Sequence, residues 1–202
     1  FKHLKENCDN YLKNKIYDCV LTVPAYFDEK ARSGIMRSAF MSGFNVKRLI
    51  NEPTAAAFAY GLEKNKRGTY FVFDLGGGTF DVSILKLSEG IFKVIGSGGD
   101  SKLGGDDFDK FFAMKIVKDF FNETFSEIPI KEQIFILNKC KILKEKINDK
   151  EYFDEIFIVN QASKNIKITS DFFNSAVDSL IDKTIEISNS LLSECNIESK
   201  SI

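Results

Sequence analysis

The sequence predicts an α/β protein, and three observations carry that prediction. Strand-like and helix-like runs alternate in the order β-α-β-α over positions 16–62. Three β-branched and aromatic runs then follow one another between positions 69 and 97, and the rest is helical apart from two runs that suit a small sheet. IYDCVLTV at 16–23 is a buried-strand pattern closed by Pro24, which cannot donate to a ladder. Asp28 can cap the helix that follows, where Ile35, Met36, Ala39, Phe40 and Phe44 recur at helical spacing towards Gly43. VKRLI at 46–50 is a second strand. Asn51, Glu52 and Pro53 then open a helix, with proline near the position where its missing N–H costs nothing and an alanine run at 55–57 that allows close packing.

After the polar stretch EKNKRG at 63–68, the runs TYFVFDL, FDVSILKL and IFKVIGS predict three consecutive strands, the last two joined by a hairpin at Ser88, Glu89 and Gly90. A glycine-rich loop at 96–105 is expected to end them. Beyond it, Phe108, Phe111, Phe112, Ile116 and Phe120 form one helical stripe, and IFILNKCKILKEKIN forms another helix after Pro129. YFDEIFIV and NIKIT predict two strands, and a last amphipathic helix starts at a Ser170 or Asp171 cap and runs towards Cys195.

Composition narrows the function. With 44% hydrophobic and 28% charged residues among 202, the chain can bury a substantial core, which 20 Phe and no Trp make Phe- and Ile-rich. A net charge of −1 with interspersed signs carries no electrostatic footprint for nucleic acid or an anionic membrane. FKHLKENCDNYLKN at the amino terminus has neither the apolar centre nor the cleavage site of a signal peptide, and no apolar run is long enough to span a bilayer, so a cytoplasmic protein is expected. Cys8, Cys19, Cys140 and Cys195 are widely spaced, and the one histidine is His3, so neither a zinc site nor a disulfide framework is indicated. They read as reduced, small apolar fillers.

DLGGGTFD at 74–81 is the motif with chemistry in it. Gly76, Gly77 and Gly78 have no side chains to hold a ligand away, so successive N–H groups can face anionic oxygens. Asp74 and Asp81 add hard carboxylates, and hydrated Mg²⁺ favours one or two of those together with phosphate oxygens. A glycine-rich turn between strands explains the triglycine equally well.

Together with LINEPTAAAFAYGL at 49–62, TVPAYF at 22–27 and LGGDDFD at 103–109, this motif resembles the nucleotide-binding domain of the heat-shock seventy (DnaK-type) chaperone family. The four motifs occur in order over positions 20–112, and GSGGDSKLGGDDFD at 96–109 is most similar to the HscA-type chaperones of iron–sulfur cluster assembly. The resemblance implies part of an actin-like (ribonuclease H-like) ATPase fold, with two lobes closing around ATP or ADP and Mg²⁺. Residues 1–63 would be part of lobe I, 64–103 part of the lobe II base with its phosphate loop, 104–177 a helical and small-sheet subdomain, and 178–202 a return helix.

By the same resemblance, Asp74 binds magnesium through water, and Gly76, Gly77 and Gly78 form the second phosphate loop. Thr79 sits near the γ-phosphate, Asp81 and Glu52 order metal-bound and attacking water, and Gly105, Lys144 and Asn148 contribute to nucleotide binding. Without the resemblance, Glu52 is a first-turn carboxylate favoured by the helix dipole. Pro24 and Arg32 match a relay from nucleotide state to a peptide-binding domain; taken alone, they are a strand terminator and a solvated helix residue. Met36 and Arg37 replace a lysine and an aspartate common in that helix. Lys141 and Glu145 stand where general-purpose members often carry a glutamate and an arginine; because a glutamate cannot stack on a base as an arginine does, weaker nucleotide retention is expected, unless both are simply solvated charges.

The family's other Gly/Thr-rich loop and its second adenosine motif do not occur in these 202 residues, so little or no ATP turnover is expected of them alone. The intact parent is expected to be an ATP-driven chaperone with a J-domain cochaperone, a client that an iron–sulfur scaffold could supply, and a nucleotide-exchange factor as a further partner. Two other readings remain. A sugar or acetate kinase shares the phosphate-loop aspartate, although NEPTAAAFAYGL argues against it. The helical subdomain could also serve chiefly as a cochaperone docking surface.

Overall fold

The computed structural model describes residues 1–15, 17–61 and 67–202. The foreseen polar stretch at 63–68 and the start of the first foreseen strand therefore lie partly outside the described residues. The chain is a mixture of helix and sheet that divides into two compact units: Phe1–Asp74, Asp81–Gly98 and Ser190–Ile202 in one, Leu75–Phe80 and Gly99–Asn189 in the other.

The first unit begins with a helix not predicted from the sequence, α1 (Lys2–Leu12). Leu4, Cys8, Tyr11 and Leu12 recur at helical spacing, but none of its residues is buried. Instead Lys5 makes the contact: its ammonium lies 5.1 Å from the Tyr17 ring centre and 5.7 Å from that of Phe44, and it pairs with Asp9 at 2.8 Å. A lysine that lays its stem on aromatic faces gives no hydrophobic signature.

β1 (Asp18–Val23) and β2 (Asn45–Asn51) pair in parallel, with a register shift between Cys19 and Val20, and α2 (Glu29–Met41) connects them. Asp28 caps α2 as foreseen, accepting the Ala31 N–H at 2.8 Å. The stripe is narrower than its spacing implied. Ala39 is fully buried, whereas Met36 and Phe40 are exposed, because the helix approaches through its small residue. α3 (Glu52–Gly61) follows β2 directly.

β3 (Gly68–Leu75), β4 (Phe80–Ser88) and β5 (Ile91–Asp100) form the predicted sheet in that order. β4 is central and buried on both faces from Phe80 to Leu85, so the polar Asp81 and Ser83 that alternate with Phe80, Val82 and Ile84 are buried as well. The turn between β4 and β5 places Glu89 and Gly90 at φ 53° and 78°, the geometry that suits a tight hairpin. β5 runs to Asp100, so the first half of the foreseen loop at 96–105 is strand. A Cβ on Gly96 would fall 2.5 Å from Cys195 Sγ and 3.1 Å from Leu191, so glycine serves strand packing there.

In the second unit, α4 (Gly105–Phe121) and α5 (Ile130–Lys146) pack through Phe112, Ile116, Ile136 and Cys140, all fully buried. β6 (Tyr152–Val159) and β7 (Ala162–Thr169) are antiparallel and turn at Asn160 and Gln161, both at positive φ. α6 (Ser170–Glu194) is continuous over 25 residues. Its cap is neither Ser170 nor Asp171. Thr169 Oγ1 accepts the Phe172 N–H at 3.2 Å, and Ser170 turns away to donate to the Ile147 carbonyl. Phe112 meets Phe173 edge-on with ring centres 5.2 Å apart, and Phe172 stacks obliquely on Phe120 at 5.4 Å. The foreseen stripe on α4 thus buries Phe108, Phe112 and Ile116 but leaves Phe111 exposed.

Candidate functional site

Three carboxylates share a field in the first unit. Glu52 opens α3 straight after β2, Asp74 is the penultimate residue of β3, and Asp81 is the second of β4. Asp74 is exposed and Asp81 buried. Burial pushes the Glu52 carboxyl above its ordinary value, and the charges of Asp81 and then Asp74 push it further, so the fold brings these three residues close enough to repel. Arg32 ties the segment after β1 to the side chain of Asn51, the residue before Glu52. Its Nε donates to the Phe27 carbonyl at 2.8 Å, and one terminal nitrogen donates to the Ala25 carbonyl at 3.2 Å and to Asn51 Oδ1 at 2.8 Å. Arg32 is therefore half-buried and makes three hydrogen bonds, unlike the solvated residue that its helix position suggested. Met36 and Arg37 lie exposed on the same helix.

The triglycine loop belongs to the second unit and is anchored from one side. The Gly76 N–H donates to the Thr79 carbonyl at 2.9 Å, which turns that group inward. The Gly76 and Gly77 carbonyls accept the N–H groups of Gly105 and Asp106, at 2.9 and 2.8 Å. Two of the amides that a helix start leaves without intrahelical partners are thus taken by the loop. Gly104 makes the approach possible: its backbone is extended at φ −162°, and a Cβ there would fall 2.5 Å from Gly78 Cα and N. Asp107 completes the corner by accepting the Gly104 N–H at 3.0 Å. A Cβ on Gly77 or Gly78, by contrast, would meet nothing within 4 Å. Among the described residues, no acceptor holds the N–H of either.

Lys144, in the last turn of α5, reaches the same corner. Its ammonium donates to the Gly105 carbonyl at 2.7 Å and pairs with Asp109 at 2.8 Å. Asp109 is buried, and burial raises its carboxyl more strongly than Lys144 lowers it. Asn148 lies exposed in the turn beyond α5, and Lys141 and Glu145 are exposed on the helix.

The structure therefore gathers the foreseen residues into two groups: Glu52, Asp74 and Asp81 in one; Gly76, Gly77, Gly78, Thr79, Gly105 and Lys144 in the other. Asn148 makes no contact that ties it to either. Sequence reasoning missed Gly104, Asp109 and Asn51. The first two lay inside the quoted LGGDDFD, but only packing distinguishes a glycine pressed on backbone, or an aspartate facing a lysine 35 positions on, from their neighbours. Among the described residues, no three histidine, cysteine or carboxylate side chains are placed to chelate a metal together.

The family model described as Hsp70 protein matches residues 1–202. The chain belongs to the Hsp70 family. It is 41% identical over 192 residues to the chaperone protein HscA homolog of Rickettsia bellii, covering 95% of this chain and 30% of that protein. It is 41% identical over 201 residues to chaperone protein HscA of Buchnera aphidicola subsp. Schizaphis graminum, covering 100% and 32%. Against the HscA homolog of Histophilus somni, identity is 40% over 196 residues, covering 97% and 31%. This Hsp70 chain thus spans about a third of the length of the curated relatives that it matches.

Proposed function

We propose that this segment binds the phosphates and metal of Mg-ATP or Mg-ADP in an ATP-driven chaperone of the HscA type. The observation that carries the proposal is the triglycine loop: it is pinned by its carbonyls to the start of α4, the N–H groups of Gly77 and Gly78 have no acceptor among the described residues, a side chain added at either would meet open space, and the loop is bracketed in sequence by Asp74 and Asp81. The donor set suits a triphosphate. It also suits Mg²⁺, which keeps most of its waters and takes one or two carboxylates, here Asp74 through water. A cation beside Glu52, Asp74 and Asp81 would relieve their mutual repulsion.

In this reading, Gly77 and Gly78 hold phosphate oxygens, and Gly76, whose own amide is committed, shapes the turn. Thr79 lies next to the γ-phosphate. Asp81 and Glu52 orient the attacking water, a task that does not require a strong base because phosphoryl transfer depends on positioning and charge neutralisation. The magnesium, when bound, neutralises charge on the phosphate oxygens. Gly105, Lys144 and Asn148 serve the nucleoside end, where the exposed Lys141 and Glu145 offer no arginine plane and retention is correspondingly weak.

The fold is the actin-like, ribonuclease H-like one, with lobe I in 1–63, the lobe II base in 64–103, a helical and small-sheet subdomain in 104–177 and a return helix in 178–202. Pro24 and Arg32 relay nucleotide state to a peptide-binding domain, and the grip of Arg32 on Asn51, next to Glu52, supports such a link. The whole protein works in the cytoplasm with a J-domain cochaperone, and its client is an iron–sulfur scaffold, with a general folding role as the alternative. Among the described residues, no helix is long and apolar enough to cross a membrane.

The deciding experiment is single-turnover hydrolysis of Mg-ATP by the full-length protein. Asp74→Ala and Thr79→Ala should each slow it by about a hundredfold or more, in line with the loss of one preorganised transition-state contact. Hydrolysis at the parental rate in Asp74→Ala would contradict the metal assignment.

A further inference from the structure

The Lys144 ammonium donates to the Gly105 carbonyl at 2.7 Å and forms an ion pair with Asp109, whose Oδ1 lies 2.8 Å away. That oxygen is buried and accepts no hydrogen bond, so the lysine is its charge partner. Gly105 in turn gives its N–H to the Gly76 carbonyl at 2.9 Å. A continuous polar chain therefore runs from the triglycine loop, through the first residue of α4, to the last turn of α5. Asp109 sits one turn along α4 from Gly105 and is only 5% exposed, so it is an internal anchor and not a surface partner.

We propose that Asp109 is a positioning residue: its charge holds the Lys144 ammonium on the Gly105 carbonyl, so that the lysine is aimed at the nucleotide and the end of α5 moves as one piece with the phosphate loop. This rests on the nucleotide reading above. An aspartate can do this because a buried carboxylate facing an ammonium fixes a side chain that otherwise has four rotatable bonds. Without that anchor, Lys144 is released to solvent, the Gly105 carbonyl loses its donor, and the loop and the helix are no longer tied.

The test is release of a fluorescent ADP analogue from the full-length protein with Asp109→Asn, Lys144→Met and the double variant. Each single substitution should speed release by about tenfold, and the pair should do no more than either alone, because both remove the same contact. Release about a hundredfold faster in the double variant, or unchanged release in Asp109→Asn, overturns the proposal. A second arm needs no variant. In nucleotide-free wild-type protein treated with an acetyl succinimidyl ester, peptide mass spectrometry should find Lys144 acylated at least about tenfold more slowly than the exposed Lys141, since a shared ammonium is a poor nucleophile. Equal rates overturn the proposal even if Asp109→Asn does not fold. Wild-type protein that binds no analogue sinks the nucleotide reading, and the positioning role with it. Wild-type protein that binds it, with variants that release it at the wild-type rate, overturns the positioning role alone.

Discussion

At Gly104 an added Cβ would sit 2.5 Å from Gly78 Cα and N and 2.6 Å from Gly77 C, so backbone would press on backbone with no flexible side chain to yield. Gly104→Ala should cost about 1–3 kcal/mol, read as a lower urea midpoint, and displace the loop as well. Gly77→Ala should leave the urea midpoint nearly unchanged while weakening nucleotide binding, because its Cβ enters the open side where the phosphates are proposed to lie. Equal stability losses in the two variants would contradict the assignment of faces. Glu52 gives the pH counterpart. Its raised value means that the native state holds the proton more tightly than the unfolded chain. The stability linked to this group is therefore fully present below the unfolded carboxyl value and declines as pH rises through the higher native value. Glu52→Gln should accordingly melt above the parent at pH 7, and the gap should close as pH falls to about 4. A variant that melts lower than the parent at pH 7 would show that the carboxylate is stabilising after all.

Between elements, Arg32 has the clearest consequence. It is on α2 yet binds two carbonyls of the segment after β1 and the side chain of the last residue of β2, three acceptors in different directions. Only a forked guanidinium reaches all of them, so Arg32→Lys should destabilise almost as much as Arg32→Ala, by about 2 kcal/mol in chemical denaturation. Recovery of parental stability with lysine would show that charge alone suffices. The elements themselves were largely legible. Pro24 closed β1, Asp28 capped α2, the pair Glu89 and Gly90 turned the hairpin, and the strand-like run of β4 matched a strand buried on both sides. What escaped had a physical reason in each case. α1 rests a lysine on two rings while its apolar residues stay unburied, β5 holds Gly96 inside a strand because Cys195 crowds it, and α6 is capped by Thr169, one residue before the two candidates weighed. The glycine loop was legible as a motif. Its orientation was not, because which carbonyls α4 takes depends on Gly104, whose role appears only when the two backbones meet.

Over these 202 residues, 28 basic and 29 acidic side chains nearly cancel, so long-range charge does little to select a ligand, and on the proposed reading recognition rests on short-range groups. Those groups make stability depend on ligand by mass action. A nucleotide present at a hundredfold excess over its dissociation constant should stabilise the full-length protein by about 2.7 kcal/mol, provided that the unfolded chain does not bind it. Mg-ADP should therefore raise the melting temperature, ADP with EDTA should raise it less, and Mg²⁺ alone should have little effect, because among the described residues no three ligands gather to chelate it without phosphate oxygens. Asp74→Asn should abolish the difference between ADP with magnesium and ADP with EDTA while keeping the EDTA-resistant part, which belongs to the loop amides. Gly77→Ala should reduce that EDTA-resistant part. If chelation removed nothing from the wild-type shift, the carboxylates would be bystanders, and the repulsion among Glu52, Asp74 and Asp81 would need a cause other than a cation that relieves it.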